Sequence, residues 1–189
     1  MRGVRLRDLA LAAVMAALIG AVATVRLFLP GLSVPITLQV LVVLLAGALL
    51  RPAWGAAAMG LYLLLGAAGL PVFAGGTGGL QVLAGPTAGY LWSYPLAAAL
   101  VGVLTPAPGG GSARRSDLPR LAGAMLAGLG VIYLGGAGWA WLVGGKGLTA
   151  VLTGWVLPFV PFDLAKVAAA TVAATAVRRA LARAGLLAV

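Results

Sequence analysis

The sequence of 189 residues contains no cysteine, no histidine and only three acidic residues. Without cysteine the chain has no thiolate nucleophile and no ligand for an iron–sulfur cluster, which excludes thiol-based catalysis and redox chemistry. Without histidine it also lacks the commonest general base and metal ligand. The acids are Asp8, Asp117 and Asp163, too few for most enzymatic mechanisms. We therefore predict that the protein is not an enzyme and uses no metal or other cofactor.

Charge of either sign is scarce, since 8% of the residues are charged and 62% are hydrophobic. An ordinary soluble domain carries about 25% charged residues, so this composition predicts an integral membrane protein with one domain over residues 1–189. The net charge of +10 would also suit a nucleic-acid-binding protein, whose basic residues form a continuous patch or stripe. Here the basic residues lie in short clusters at the ends of apolar segments, so we expect a lipid bilayer as partner and no nucleic acid.

Six apolar segments approach the length that a membrane-spanning helix needs, about 20 residues. They comprise residues 9–29, 37–50, 52–70, 85–104, 118–143 and 158–181. A cleavable signal peptide is the alternative for the N-terminus, but its apolar run is long for one, and we favour a retained helix. A shorter segment, residues 148–157, is predicted to lie along the membrane surface. The predicted fold is all-α, a bundle of six transmembrane helices.

The basic residues predict the orientation of this bundle, because short cytoplasmic loops are rich in lysine and arginine. With both termini in the cytoplasm of a multi-pass protein of the cell membrane, most of the 13 basic residues lie on the inner side. These are Arg2, Arg5, Arg7, Arg51, Arg114, Arg115, Arg120, Arg178, Arg179 and Arg183. Arg26, Lys146 and Lys166 then lie towards the outside.

Residues 73–90, FAGGTGGLQVLAGPTAGY, join the third and fourth predicted helices on the outer side. The stretch has no lysine and does not match GxxxxGK[ST], so it is not a phosphate-binding P-loop. An ordinary flexible loop is one interpretation. The other is a re-entrant loop, since non-helical backbone is tolerated at membrane depth where protein or a water-filled cavity surrounds it. We predict the re-entrant loop, with glycines that let the backbone approach a ligand closely.

Asp163 and Lys166 begin the last predicted helix and lie three residues apart, so they share one helix face. Charged residues in membrane segments usually face the bundle interior and carry function. A pair that only neutralises itself at the membrane boundary is the alternative. The functional interpretation is a site for a small ligand with hydrogen-bond donors and an anionic or carbonyl acceptor. Tyr90, in the first turn of the fourth helix, is the aromatic residue most suited to contact such a ligand, whereas Trp139, Trp141 and Trp155 suit the interfacial belt.

The first helix has small residues four apart, which allow another helix to approach closely. They form two rows, Ala12, Ala16 and Gly20 in one and Ala13, Ala17 and Ala21 in the other. An interface with a partner helix and the chance spacing of an alanine-rich helix are both compatible with this pattern.

Three stretches together resemble the BioY family, the biotin-specific substrate-binding (S) components of energy-coupling factor transporters. They are VPITLQVLVVLLAGALL, GLYLLLGAAGLPVFAGGTGGLQVLAGPTAGY and LPFVPFDLAKVAAA. The resemblance implies high-affinity binding of biotin near the outer face, under the loops that join helices one to two and three to four. It also implies that helix one, through Ala12, Ala13, Ala16, Ala17 and Gly20, docks on a transmembrane coupling subunit that works with two ABC-type ATPases.

The resemblance assigns site residues by position. They are Thr37 and Gln39 of the TLQ motif, Gly75, Gly76, Gly78 and Gly79 of the glycine-rich stretch, and the pair Asp163 and Lys166. Gln81 of the glycine-rich stretch and Tyr90 complete the predicted binding residues. Lys166 would meet either the ureido carbonyl or the carboxylate of biotin, and the sequence leaves this open. Phe162 and Ala88 stand where the family often has glycine. An S component for another vitamin, such as thiamine or riboflavin, and a membrane assembly subunit without transport are the alternative functions.

Overall fold

The fold was analysed in a computed structural model that describes residues 6–26, 35–105, 117–145 and 147–184. In these ranges the chain is helical and has no strand. The helices are α1 (Leu6–Ala23), α2 (Gln39–Leu49), α3 (Pro52–Ala67), α4 (Leu80–Leu83), α5 (Ala88–Leu104), α6 (Leu118–Leu142), α7 (Leu148–Val151) and α8 (Val160–Arg183), with a π-helical turn at Leu152–Val156. Most of the stretch between the first and second predicted segments, and of that between the fourth and fifth, lies outside the described residues, as do Arg2, Arg5, Arg114, Arg115 and Lys146.

Each of the six predicted segments overlaps one of the longer helices, α1, α2, α3, α5, α6 and α8, and α1 begins three residues before its segment while α8 ends two residues after its own. Proline stands in the first turn of α3, α6 and α8, where its missing N–H costs no hydrogen bond. Three helices, α1, α6 and α8, are long and apolar enough to cross a membrane, while α2, α3 and α5 have 10–17 residues. The helical fold is thus confirmed, and the number of membrane crossings stays a prediction.

The centre of the bundle is α5, which packs against α2, α3 and α6. Helix α8 packs against α2 and α6, and α1 packs against α2 and α3. Glycines allow the closest approach, because a Cβ on Gly89 would lie 2.3 Å from the carbonyl oxygen of Gly135 on α6. In a membrane such close packing, rather than the hydrophobic effect, holds helices together. Gly89 and Gly135 thus let α5 and α6 pack backbone to backbone.

The segment between α3 and α5, residues 68–87, is called the glycine loop here, and Phe73 anchors it to the bundle. The Phe73 side chain is fully buried and meets the ring of Tyr62 on α3 edge to face, with ring centroids 5.4 Å apart. Gly66 makes room for it, since a Cβ there would lie 2.1 Å from the Phe73 ring. The glycine loop therefore lies packed against α3.

Backbone hydrogen bonds also hold the glycine loop. The N–H of Gly75 donates to the carbonyl of Ala23 at the end of α1 (2.9 Å), and that of Gly79 donates to Gly66 (2.7 Å). Gly75 and Gly76 have φ angles of +71° and +72°, which strain any side-chain-bearing residue. The glycines thus shape the loop, while its depth in a membrane stays a prediction.

The two rows of small residues on α1 have different surroundings. Ala12 and Ala16 are buried, 4% and 2% exposed, and Gly20 is buried too. A Cβ on Gly20 would lie 3.2 Å from the Val72 side chain. Ala13 and Ala17, on the other row, are exposed. The first row therefore packs within the chain, whereas the second row is accessible from outside, and the role of these residues as a partner interface stays a prediction.

Candidate functional site

A cavity of about 250 Å³ lies where the beginnings of α2, α5 and α8 meet α6 and the glycine loop. This volume is close to the lower end for small-molecule sites, about 300 Å³. Its polar lining includes Arg26, Thr37, Gln39, Thr77, Thr87, Asp163 and Lys166, and aromatic side chains form much of the remaining wall. A mostly apolar cavity with a few converging polar groups is the usual form of a ligand site.

Asp163 and Lys166 form an ion pair in the wall of this cavity. The Lys166 Nζ lies 2.6 Å from Asp163 Oδ1, and the residues are only 8% and 3% exposed. The Tyr133 hydroxyl of α6 donates to the other carboxylate oxygen, Oδ2, over 2.7 Å. Each oxygen of Asp163 therefore has one partner, and each has lone-pair capacity for a further donor. The predicted sharing of one helix face is confirmed.

Gln39 belongs to a second polar group at the beginning of α2. The hydroxyl of Thr37 donates to Gln39 Oε1 over 2.8 Å, and Gln39 Nε2 donates to the hydroxyl of Tyr62 over 2.7 Å. These two bonds orient the amide, since its oxygen faces Thr37 and its nitrogen faces Tyr62. A primary amide has a second N–H, so Gln39 has donor capacity beyond this chain of bonds.

Aromatic side chains from α5 and from the segment before α8 enclose the cavity. Tyr90, half-buried, lines it, and its hydroxyl donates to the carbonyl of Trp155 in the π-helical turn. Trp155 itself is 6% exposed and lines the cavity, together with Tyr94 and Phe159. The expectation that Trp155 belongs to an interfacial belt is thus corrected, because the residue lies in the π-helical turn with its side chain buried at the cavity. Such turns occur frequently at functional sites.

The structure brings some predicted site residues together and separates others from the cavity. Thr37, Gln39, Tyr90, Asp163 and Lys166 all line it. The other predicted residues, Gly75, Gly76, Gly78, Gly79 and Gln81, are not among its lining residues, and Gln81 is exposed with its amide bonded to the carbonyl of Gly78. A role for these five in ligand contact stays a prediction.

Tyr133 and Arg26 also line the cavity, although neither was among the predicted binding residues. Tyr133 lies 30 residues before Asp163, on another helix. Helix periodicity relates residues of one helix and does not predict a contact between two helices. Arg26 follows α1 and is exposed at the cavity. Its position on the predicted outer side, away from the inner arginine clusters, was the sequence feature that could have identified it.

Comparisons with known proteins agree on one relationship. The BioY family profile matches residues 1–183. The biotin transporter BioY of Rhodobacter capsulatus is 41% identical over 171 residues, 85% of this chain and 87% of that protein. The probable biotin transporter BioY of Pyrococcus horikoshii is 40% identical over 141 residues, 75% of this chain and 78% of that protein.

A solved structure supports the same relationship. The crystal structure of the S-component for biotin from an ECF-type ABC transporter matches with a TM-score of 0.81 and 27% identity, over 92% of this chain and 91% of that one. Together with the three helices able to cross a membrane, these relatives identify an integral membrane protein. The chain belongs to the BioY family.

Proposed function

We propose that this protein binds biotin in the cavity and takes it up across the cell membrane as the substrate-binding component of an energy-coupling factor transporter. The related proteins named as biotin transporters and the solved biotin S-component support this function. The observation that carries it is the Asp163–Lys166 pair, which is buried and lines the cavity. A pair that served only to neutralise itself would not need a cavity beside it.

Biotin presents chemistry that matches this lining. Its ureido ring has two N–H donors and one carbonyl acceptor, its fused rings are apolar, and its side chain ends in a carboxylate. Asp163 accepts from N–H groups, and Lys166 donates to a carbonyl oxygen. Tyr90, Tyr94 and Trp155 supply apolar walls. The chain has no ATP-binding motif, so the energy for uptake comes from partner subunits.

The proposed arrangement in the membrane follows from the sequence. Helices α1, α2, α3, α5, α6 and α8 cross the cell membrane, and both termini lie in the cytoplasm. The glycine loop is then a re-entrant loop that covers the outer side of the cavity. The close packing of Phe73 against Tyr62 supports this arrangement, since re-entrant backbone needs surrounding protein.

Equilibrium titration of the purified protein in detergent with labelled biotin tests the function. We expect saturable binding of one biotin per chain, which unlabelled biotin displaces and which thiamine and riboflavin do not. The absence of saturable binding by folded protein would contradict the assignment. Displacement by thiamine or riboflavin would instead indicate an S component for another vitamin.

We further propose that the exposed row of α1 docks on a transmembrane coupling subunit, which joins two ABC-type ATPases. Tryptophan in place of Ala17, which is exposed, is expected to reduce co-purification with the coupling subunit at least about tenfold, since it blocks close helix approach. Biotin binding should be unchanged. Co-expression with tagged partner subunits measures this.

Val172, 67% exposed on α8, offers the control for this substitution. Val172→Trp adds the same bulk on another helix and should leave co-purification intact. Equal loss for both variants would show that bulk anywhere on the lipid-facing surface disturbs assembly, and would contradict a specific role for α1.

A further inference from the structure

Arg26 lies between the end of α1 and the glycine loop. Its guanidinium rests over Gly75, where a Cβ would lie 1.7 Å from Arg26 Cζ. Its Nη2 lies 3.5 Å from the Gly75 carbonyl oxygen. Arg26 is exposed and at the same time lines the cavity, so it stands where the cavity meets the surroundings. Because Gly75 has no side chain, the Arg26 guanidinium has room to lie against the glycine loop.

The described lining of the cavity contains two cations and one carboxylate, so its net charge is positive by one unit. The two cations differ in their surroundings. Lys166 is 8% exposed and bonded to Asp163, which neutralises it, whereas Arg26 is exposed. A ligand with one negative charge would balance the lining. The neutral polar end of such a ligand suits the buried pair Asp163 and Lys166. Its anionic end suits Arg26, because an exposed charge costs less to desolvate than a buried one.

We propose that Arg26 binds the carboxylate of the ligand and that this contact selects acidic ligands over their neutral derivatives. The inference rests on the proposed binding of biotin and assigns its orientation. The ureido ring lies at Asp163 and Lys166, and the valerate chain extends towards Arg26 and the glycine loop. A guanidinium has five N–H donors and matches a carboxylate in bidentate geometry, so contacts with Gly75 and with the ligand are compatible.

Neutralising the ligand and the arginine separately tests this assignment. In detergent, the wild-type protein should bind biotin about 10- to 100-fold more tightly than biotinamide, which has the same rings and no charge. Arg26→Gln should lower the affinity for biotin by a similar factor and leave that for biotinamide within about twofold. The variant therefore loses the preference for the acid and keeps binding of the ring system.

Two glycines of the glycine loop provide a matched pair of further variants. Gly75 and Gly69 both have positive φ angles, +71° and +99°, so alanine strains the backbone at both positions. At Gly75 the new methyl group displaces the Arg26 guanidinium, whereas nothing lies within 4 Å of a Cβ at Gly69. We expect Gly75→Ala to lose the preference for biotin over biotinamide and Gly69→Ala to keep it.

The possible outcomes separate this proposal from the proposed function. Equal wild-type affinity for biotin and biotinamide would overturn the role of Arg26 while biotin binding stands. An Arg26→Gln variant that loses both ligands equally would also overturn it, since the arginine would then act on loop structure alone. Failure of the wild-type protein to bind either ligand would overturn the proposed function itself.

Discussion

Replacing Asp163 with asparagine is expected to weaken biotin binding by about 100-fold or more. The carboxylate accepts charge-assisted hydrogen bonds, each contributing about 1.5–3 kcal/mol, and a tenfold change in affinity corresponds to about 1.4 kcal/mol. Asparagine keeps the shape but has one oxygen and no charge. The substitution also leaves Lys166, 2.6 Å away, without its counter-charge in a buried site. Equilibrium titration with biotin measures the loss.

The same chemical change elsewhere in the chain controls for this substitution. Asp8 Oδ1 lies 3.7 Å from Arg7 Nη2, and Asp8 is not among the residues that line the cavity. The Asp8→Asn variant should therefore bind biotin as tightly as the wild type. Tyr133→Phe removes only the bond to Asp163 Oδ2 and should weaken binding about tenfold. An Asp163→Asn protein that unfolds like the wild type and binds within about threefold of it would contradict the assigned role.

Replacing Phe73 with alanine is expected to lower the free energy of unfolding by about 3–5 kcal/mol, the usual cost of removing a buried phenylalanine. The ring is fully buried, and it fills the space beside Gly66 and Tyr62. Its loss removes the aromatic anchor of the glycine loop on α3 and part of the cavity lining, so biotin binding should fall at least about tenfold as well. Thermal unfolding in detergent and biotin titration measure the two effects.

Phe162 provides the matched control, because its side chain is 38% exposed on α8. Phe162→Ala removes the same ring from a position that lipid or detergent covers, so the stability should change by less than about 1 kcal/mol. Similar losses in the two variants would show that Phe73 has no special role in holding the glycine loop.

Composition and periodicity alone predicted much of this protein. A chain with 62% hydrophobic and 8% charged residues cannot cover its surface in water, which indicates a membrane. The segment lengths predicted where the six longer helices lie. The i, i+3 spacing of Asp163 and Lys166 was sufficient to place them on one face. In a helix, the sequence separation of two residues decides whether they share a face.

Helix periodicity does not show which neighbouring element covers a given face. The rows of Ala12 and Ala13 look alike in sequence, yet α1 buries the first against its own bundle and exposes the second. That choice depends on how α1 packs against α2 and α3. Trp155 likewise lies at the cavity within a π-helical turn, which its sequence neighbours did not predict.

The sequence by itself determined that the protein is helical and apolar, and that two opposite charges lie on one face at the beginning of the last helix. Only the tertiary structure decided what surrounds that charge. It placed Tyr133 against Asp163, and it placed Arg26 against Gly75, 49 residues away. The physical reason is that both contacts join elements distant in the chain. Their geometry follows from helix packing and loop anchoring, which no local pattern encodes.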